Sequence, residues 1–208
     1  MLVLLLVVFV NFVGIGALIP VLPYTVIETL GLSATTMTLL LASFAFAMFL
    51  SNPLLGRLSD HVGRRPVLIF SLMVNVLAHI WFALSTDIVQ MFAARILAGL
   101  AAGNTGVIQA MIADRVNPGE RARYMGLFGA AIGTGFVAGP ALGGLFSGLG
   151  EGPLHQAPFL LAAGFGTIAL LLSLRLNGRA TKATASIAAK TLLRDRIKVV
   201  FRSELALY

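Results

Sequence analysis

The sequence predicts an all-α membrane protein with six transmembrane helices, and three observations carry that prediction. Of its 208 residues, 58% are hydrophobic and 11% are charged; soluble domains carry about 25% charged residues. Stretches long and apolar enough to cross a bilayer, about 20 residues each, recur at roughly 2–23, 33–55, 66–85, 88–112, 124–147 and 157–174. Lys and Arg gather in alternate connections and avoid the others.

Span one stays apolar from Met1 to Pro23 and has no positive segment before it. It exceeds the apolar core of a signal peptide, about 7–15 residues, so it reads as a retained span. Its polar member, Asn11, stands one turn before Gly14. Gly31-Leu32-Ser33 supplies the loop and cap signals that open span two. Between spans two and three lies the polar block Gly56 to Pro66, with Arg57, Asp60, His61, Arg64 and Arg65. Gly56 and Gly63 are read as the residues that let the backbone turn there. Pro66 suits the first turn of span three, where a missing N–H costs nothing. Further along that span, Asn75 and His79 stand four apart, hence on one face.

Span four holds a basic residue, Arg95. An arginine at mid-helix costs about 2.5–3.5 kcal/mol on insertion scales. A helical period puts Arg95, Gly99, Ala102, Gly106 and Gln109 on one face, a mixture of cation, small residues and amide that suits a cavity wall. Pro118-Gly119 marks the loop before span five. That span carries Gly135, Gly139, Pro140, Gly143 and Gly144; small residues at this spacing let helices approach closely in membranes, and Pro140 removes an intrahelical bond. Span six, 157–174, carries no charge.

Charge sets the orientation. Loops 24–32, 86–87 and 148–156 contain Glu28, Asp87 and Glu151 and no cation, whereas loops 56–65 and 113–123 and the tail from Arg175 hold every Lys and Arg except Arg95. By the positive-inside rule the cation-rich side is cytoplasmic, and both Met1 and the tail lie there. Residues 1–175 form the membrane domain and 176–208 a basic cytoplasmic linker. Within it TLLRDRIKVVF reads equally as an amphipathic helix on anionic lipid or as a solvated segment.

Several functions are excluded. With no Cys, no disulfide, thiol or zinc–thiolate chemistry is available. There is no Ser/His/Asp set, metal-ligand cluster or phosphate loop. No enzyme, cofactor or metal is therefore expected. The pI near 10.8 does not imply nucleic acid, because the cations sit in loops between spans.

The polar block can now be compared with known patterns. Gly56-Arg57-Leu58-Ser59-Asp60-His61-Val62-Gly63-Arg64-Arg65 resembles the Gly-x-Leu-x-Asp-x-x-Gly-Arg-Arg/Lys signature of the major facilitator superfamily. GIGALIPVLP in span one, RILAGLAAG in span four, and Gly135-x-x-x-Gly139-Pro140-x-x-Gly143-Gly144 in span five resemble the first-helix, Arg-x-x-x-Gly and antiporter motifs of its drug:proton exporters. The match is nearest the twelve-helix group that includes tetracycline exporters. It implies two inverted three-helix repeats forming one half of a transporter, of which the sequence itself shows no convincing echo. It implies a multi-pass inner (plasma) membrane protein that exports small amphipathic compounds in exchange for protons. Its partners would be a small-molecule substrate, protons, membrane lipids, and a missing C-terminal half or a second copy of the chain; the chain reads as a fragment. A metabolite transporter and a non-transporting membrane fragment are the alternatives.

The resemblance further implies roles. Gly56, Asp60, Gly63, Arg64 and Arg65 would form a latch for one conformation, against the alternative that the arginines only fix topology. Arg95 would serve coupling or substrate contact, against a structural role; the residues themselves add Gln109, Asn11, His79 and Asn75 as candidates for coupling or the substrate cavity, with the same structural alternative. The glycine face of span five would pack against the second half and seal against leaks. Tetracycline exporters place carboxylates in spans one and three where this chain has Asn11 and Ala78. None of its six spans contains Asp or Glu, so metal–tetracycline recognition does not carry over.

Overall fold

Among the described residues, six helices are long and apolar enough to cross a membrane. A computed structural model describes residues 1–147 and 156–176. The basic tail, including TLLRDRIKVVF, and the connection 148–155 lie outside the described residues.

Span one is assembled from α1 (Leu2–Ala17), a short α2 (Val21–Pro23) and a π-helical turn, Tyr24–Thr29. Pro20 and Pro23 have no N–H to donate, so the helix is interrupted where they fall. The expected loop 24–32 therefore begins later, at Leu30, and turns at Gly31 with φ +64°. Ser33 caps α3 (Ala34–Val62) by accepting from the Thr36 N–H at 3.2 Å.

The polar block departs from its expected form. α3 continues through Gly56 to Val62, and α4 (Arg64–Leu84) starts directly after Gly63. The turn is made by Gly63 alone, at φ +112°, where a side chain would be strained. Gly56 sits inside the helix with no neighbour within 4 Å of a notional Cβ, so it neither turns the chain nor permits a close approach.

Asp87 caps α5 (Ile88–Ala102) by accepting from the Gln90 N–H at 2.9 Å. Span four then breaks, resuming as α6 (Thr105–Ala113). A 3₁₀ turn at Pro118–Glu120 leads into α7 (Arg121–Ser147), which starts three residues before the expected 124 and runs through Pro140. α8 (Gln156–Leu174) closes the bundle.

Pairing is crossed between the two halves of the described chain. Span one packs chiefly on span five, span four chiefly on span two, and spans three and six pack on each other. Each of spans one and four also lies against a member of that last pair. Exchanging spans 1–2–3 for 4–5–6 reproduces this pattern, which is the arrangement expected of two three-helix repeats. Spans two and five are left mostly uncovered.

The core has two apolar ends. One gathers Leu4, Val8, Leu68, Leu72, Ile108 and Ile112; the other gathers Leu18, Leu22, Leu40, Phe82, Met91 and Phe159. Between them lie the buried polar residues Asn11, Ser51, Ser71, Asn75, His79, Arg95 and Asn104. In a bilayer these cannot be satisfied by solvent, so each must find a partner within the bundle or face a wet path.

Candidate functional site

The first site is a charged knot at the inner ends of spans two, three and four. Arg64, at the first position of α4, reaches back to Asp60 on α3 at 2.6 Å and across to Asp114 at 3.2 Å. Asp114 is the C-cap of α6. Arg64 also donates to the Ser59 hydroxyl at 2.8 Å, and that hydroxyl donates to the Gly56 carbonyl at 2.7 Å. One guanidinium thus ties three helix ends together, as its forked donors allow. Arg115 is half-buried; burial pushes it below the usual arginine value, while the Asp114 charge beside it pushes the other way. Arg65 does not join the knot. It donates to the Leu174 carbonyl at 2.6 Å, capping the end of α8. Arg57 and His61 are exposed.

Sequence reasoning picked out Asp60, Gly63 and Arg64 but missed Ser59 and Asp114. Asp114 lies fifty residues from Arg64, and only the fold brings them together.

The second site is the polar middle. Arg95 is 6% exposed. Its guanidinium lies over the Phe44 ring at 4.8 Å and within 5.9 Å of the Phe82 ring, a cation–π setting. Its Nε is buried without a hydrogen-bond partner, and no carboxylate pairs with it among the described residues. His79 and Asn75 do share the buried face expected of them. His79 Nδ1 is 2.7 Å from the Asn75 carbonyl, so that ring nitrogen carries the proton, and Nε2 is buried without a partner. The Asn75 amide donates to the Ala98 carbonyl at 3.4 Å, joining spans three and four. Asn11 is buried on α1.

The expected cavity face of span four divides. A Cβ on Gly99 would strike the Phe44 carbonyl, one on Gly103 the Ser51 hydroxyl, and one on Gly106 the Asn52 side chain. Gly99 and Gly103 thus pack against α3, as small residues four apart suggest; Gly106, expected beside Arg95 on a cavity wall, packs there too. Gln109 is exposed and does not join Arg95.

The span-five glycines make the close helix approach that their spacing predicts. Gly135, Gly139 and Gly143 face α1, where a Cβ would meet Phe9, Phe12, Val13, Gly16 and Ala17. That glycine face is therefore filled by span one and is not open to a second half. Pro140 is half-buried and Gly144 exposed.

Residues 4–208 match the profile described as Major Facilitator Superfamily. The chain is 38% identical over 192 residues to the tetracycline resistance protein, class H, of Pasteurella multocida, covering 91% of this chain and 47% of that one. It is 36% identical over 167 residues to multidrug resistance protein 2 of Bacillus subtilis, covering 80% and 40%. Among solved structures, the human organic anion transporter MFSD10 (TETRAN) superposes with a TM-score of 0.68 at 26% identity, over 82% of this chain and 45% of that one. The chain spans about half the length of the curated relatives it matches.

Proposed function

Since the chain belongs to the major facilitator superfamily, we propose that it forms the first half of a proton-coupled exporter of small amphipathic compounds working by alternating access. The observation that carries the reading is the crossed pairing of spans one on five and four on two, the repeat architecture from which such transporters rock. The names of the class H and multidrug relatives support drug efflux over metabolite transport.

In this reading the protein is a multi-pass inner-membrane protein whose N-terminus, knot and tail lie in the cytoplasm. The Arg64 knot is a latch: it forms when the inner ends of spans two, three and four come together and breaks when they part. Asp60 distinguishes a latch from a topology signal, because a carboxylate adds nothing to the positive-inside rule. Arg95, with His79 and Asn75 beside it, carries coupling in place of the span carboxylates that this chain lacks. The uncovered faces of spans two and five are where a second six-helix half would seat.

The test is reconstitution in liposomes, with the chain alone and with it joined to the second half of the class H relative. The expected result is accumulation of a fluorescent cationic dye in the joined form, driven by an imposed proton gradient. Arg95→Ala should uncouple dye movement from the gradient without loss of insertion. Correctly inserted protein that moves neither dye nor protons would defeat the proposal.

A further inference from the structure

Span four is not one helix. Backbone torsions flatten at Gly103 (ψ 0°) and Asn104 (ψ −8°), and the Asn104 N–H bonds back to the Ala101 carbonyl, a 3₁₀-type step at 3.3 Å. The Gly106 N–H, which a continuous helix would give to Ala102, goes instead to Asn52 Oδ1 on α3 at 3.0 Å. The Ala102 carbonyl receives the Thr105 hydroxyl at 3.1 Å. Both ends of the lost backbone bond are therefore satisfied by side chains, which is the condition for a helix break at membrane depth.

The two pieces are held separately. On the α5 side, Asn75 donates to the Ala98 carbonyl and Ser51 to the Gly99 carbonyl, each at 3.4 Å. At the break, Asn104 donates to the Ser71 hydroxyl at 2.9 Å. On the α6 side, the Asn52 bond crosses to α3. The pieces also carry different chemistry: α5 bears Arg95 and α6 ends at Asp114, the Arg64 partner.

We infer that span four is a jointed helix and that Asn52 is the positioning residue that sets the joint. This rests on the reading of Arg95 as coupling group and the Arg64 knot as latch only for its purpose: the joint lets one move without dragging the other. A mid-helix 3₁₀ step is a common form of hinge, and Asn52 fixes its angle by holding the first amide of the inner piece that faces α3.

The chain lacks cysteine, so an introduced pair is the sole target for spin labels. Val89 on α5 and Gln109 on α6 are exposed and lie about 30 Å apart along a helical rise, within range of pulsed EPR. Wild type should give one narrow distance. Asn52→Ala should add a second, separate peak; Asn52→Asp, which keeps the accepting oxygen, should restore the single one. A control pair at Phe70 and Leu84, both exposed on the unbroken α4, should stay narrow in every variant. An unchanged Val89–Gln109 distance in Asn52→Ala, or equal broadening in the control pair, would overturn the inference. Should Asn52→Ala not fold, hydrogen exchange on wild type decides: amides at 103–107 should exchange faster than those within α5 and α6, and uniform protection along span four would overturn it. Neither readout requires transport, so failure of the export reading would leave this test intact.

Discussion

Two helix seams related by the crossed pairing are built in opposite ways. Where α7 meets α1, Gly135, Gly139 and Gly143 press backbone against backbone, and the contact atoms are main chain and apolar Cβ. Where span four meets α3, Gly99, Gly103 and Gly106 make an equally close approach, but Ser51 and Asn52 place hydrogen bonds across it. Both use missing side chains to bring helices together, as membranes favour when lipid removes the hydrophobic drive between helices. Among the described residues, Gly135, Gly139 and Gly143 bring no side-chain hydrogen bond to the first, dry seam, so separating it trades close backbone packing for looser contact with lipid tails. The second exchanges backbone bonds for side-chain bonds, and such bonds can be traded for others. On the inference of a jointed span four, the dry seam is expected to stay fixed and the polar seam to move.

Substitutions that fill each seam sharpen this contrast. Gly139→Val in the dry seam should cost most, about 3 kcal/mol, because its Cβ would stand 2.7 Å from Gly16 and Ala17 main chain. Thermal unfolding in detergent measures it, and a fully stable variant would break the account of that seam. Gly99→Ala meets the Phe44 carbonyl and should cost about 2 kcal/mol. Asp114→Asn should cost under about 1 kcal/mol, since its ion pair with Arg64 is partly exposed and screened; a double-mutant cycle with Arg64→Ala reads the pair directly. Gly129→Ala, with nothing within 4 Å, should stay within about 0.5 kcal/mol, and a larger loss would mean an unseen neighbour.

The two seams were unequally legible in the sequence. Six apolar stretches and the alternation of Arg and Lys predict the six spans, and Ser33 appears as the cap its loop signal suggests, while the Asp87 cap reads in the sequence only as a loop charge. Glycine spacing in span five predicts close approach, but a periodic pattern names no partner, and the face proved to meet α1. Gly56 was misread because a glycine beside charges looks like a turn, whereas α3 simply continues through it. The joint in span four did leave a trace, Gly103-Asn104 amid apolar residues. Its meaning depends on Ser51, Asn52 and Ser71, which are distant in sequence and ordinary until folded. Asp114 was hidden for the same reason: its pairing with Arg64 is made by the crossing of spans, not by local pattern.

Pulsed EPR across both seams tests the contrast most directly, with one label pair at Leu6 and Val137 spanning α1 and α7, and another at Leu54 and Gln109 spanning α3 and α6. Opening the Arg64 knot with Asp114→Asn should split the Leu54–Gln109 distance into two populations and leave Leu6–Val137 single and unmoved. Equal shifts in both pairs, or none in either, would contradict a fixed dry seam beside a movable polar one.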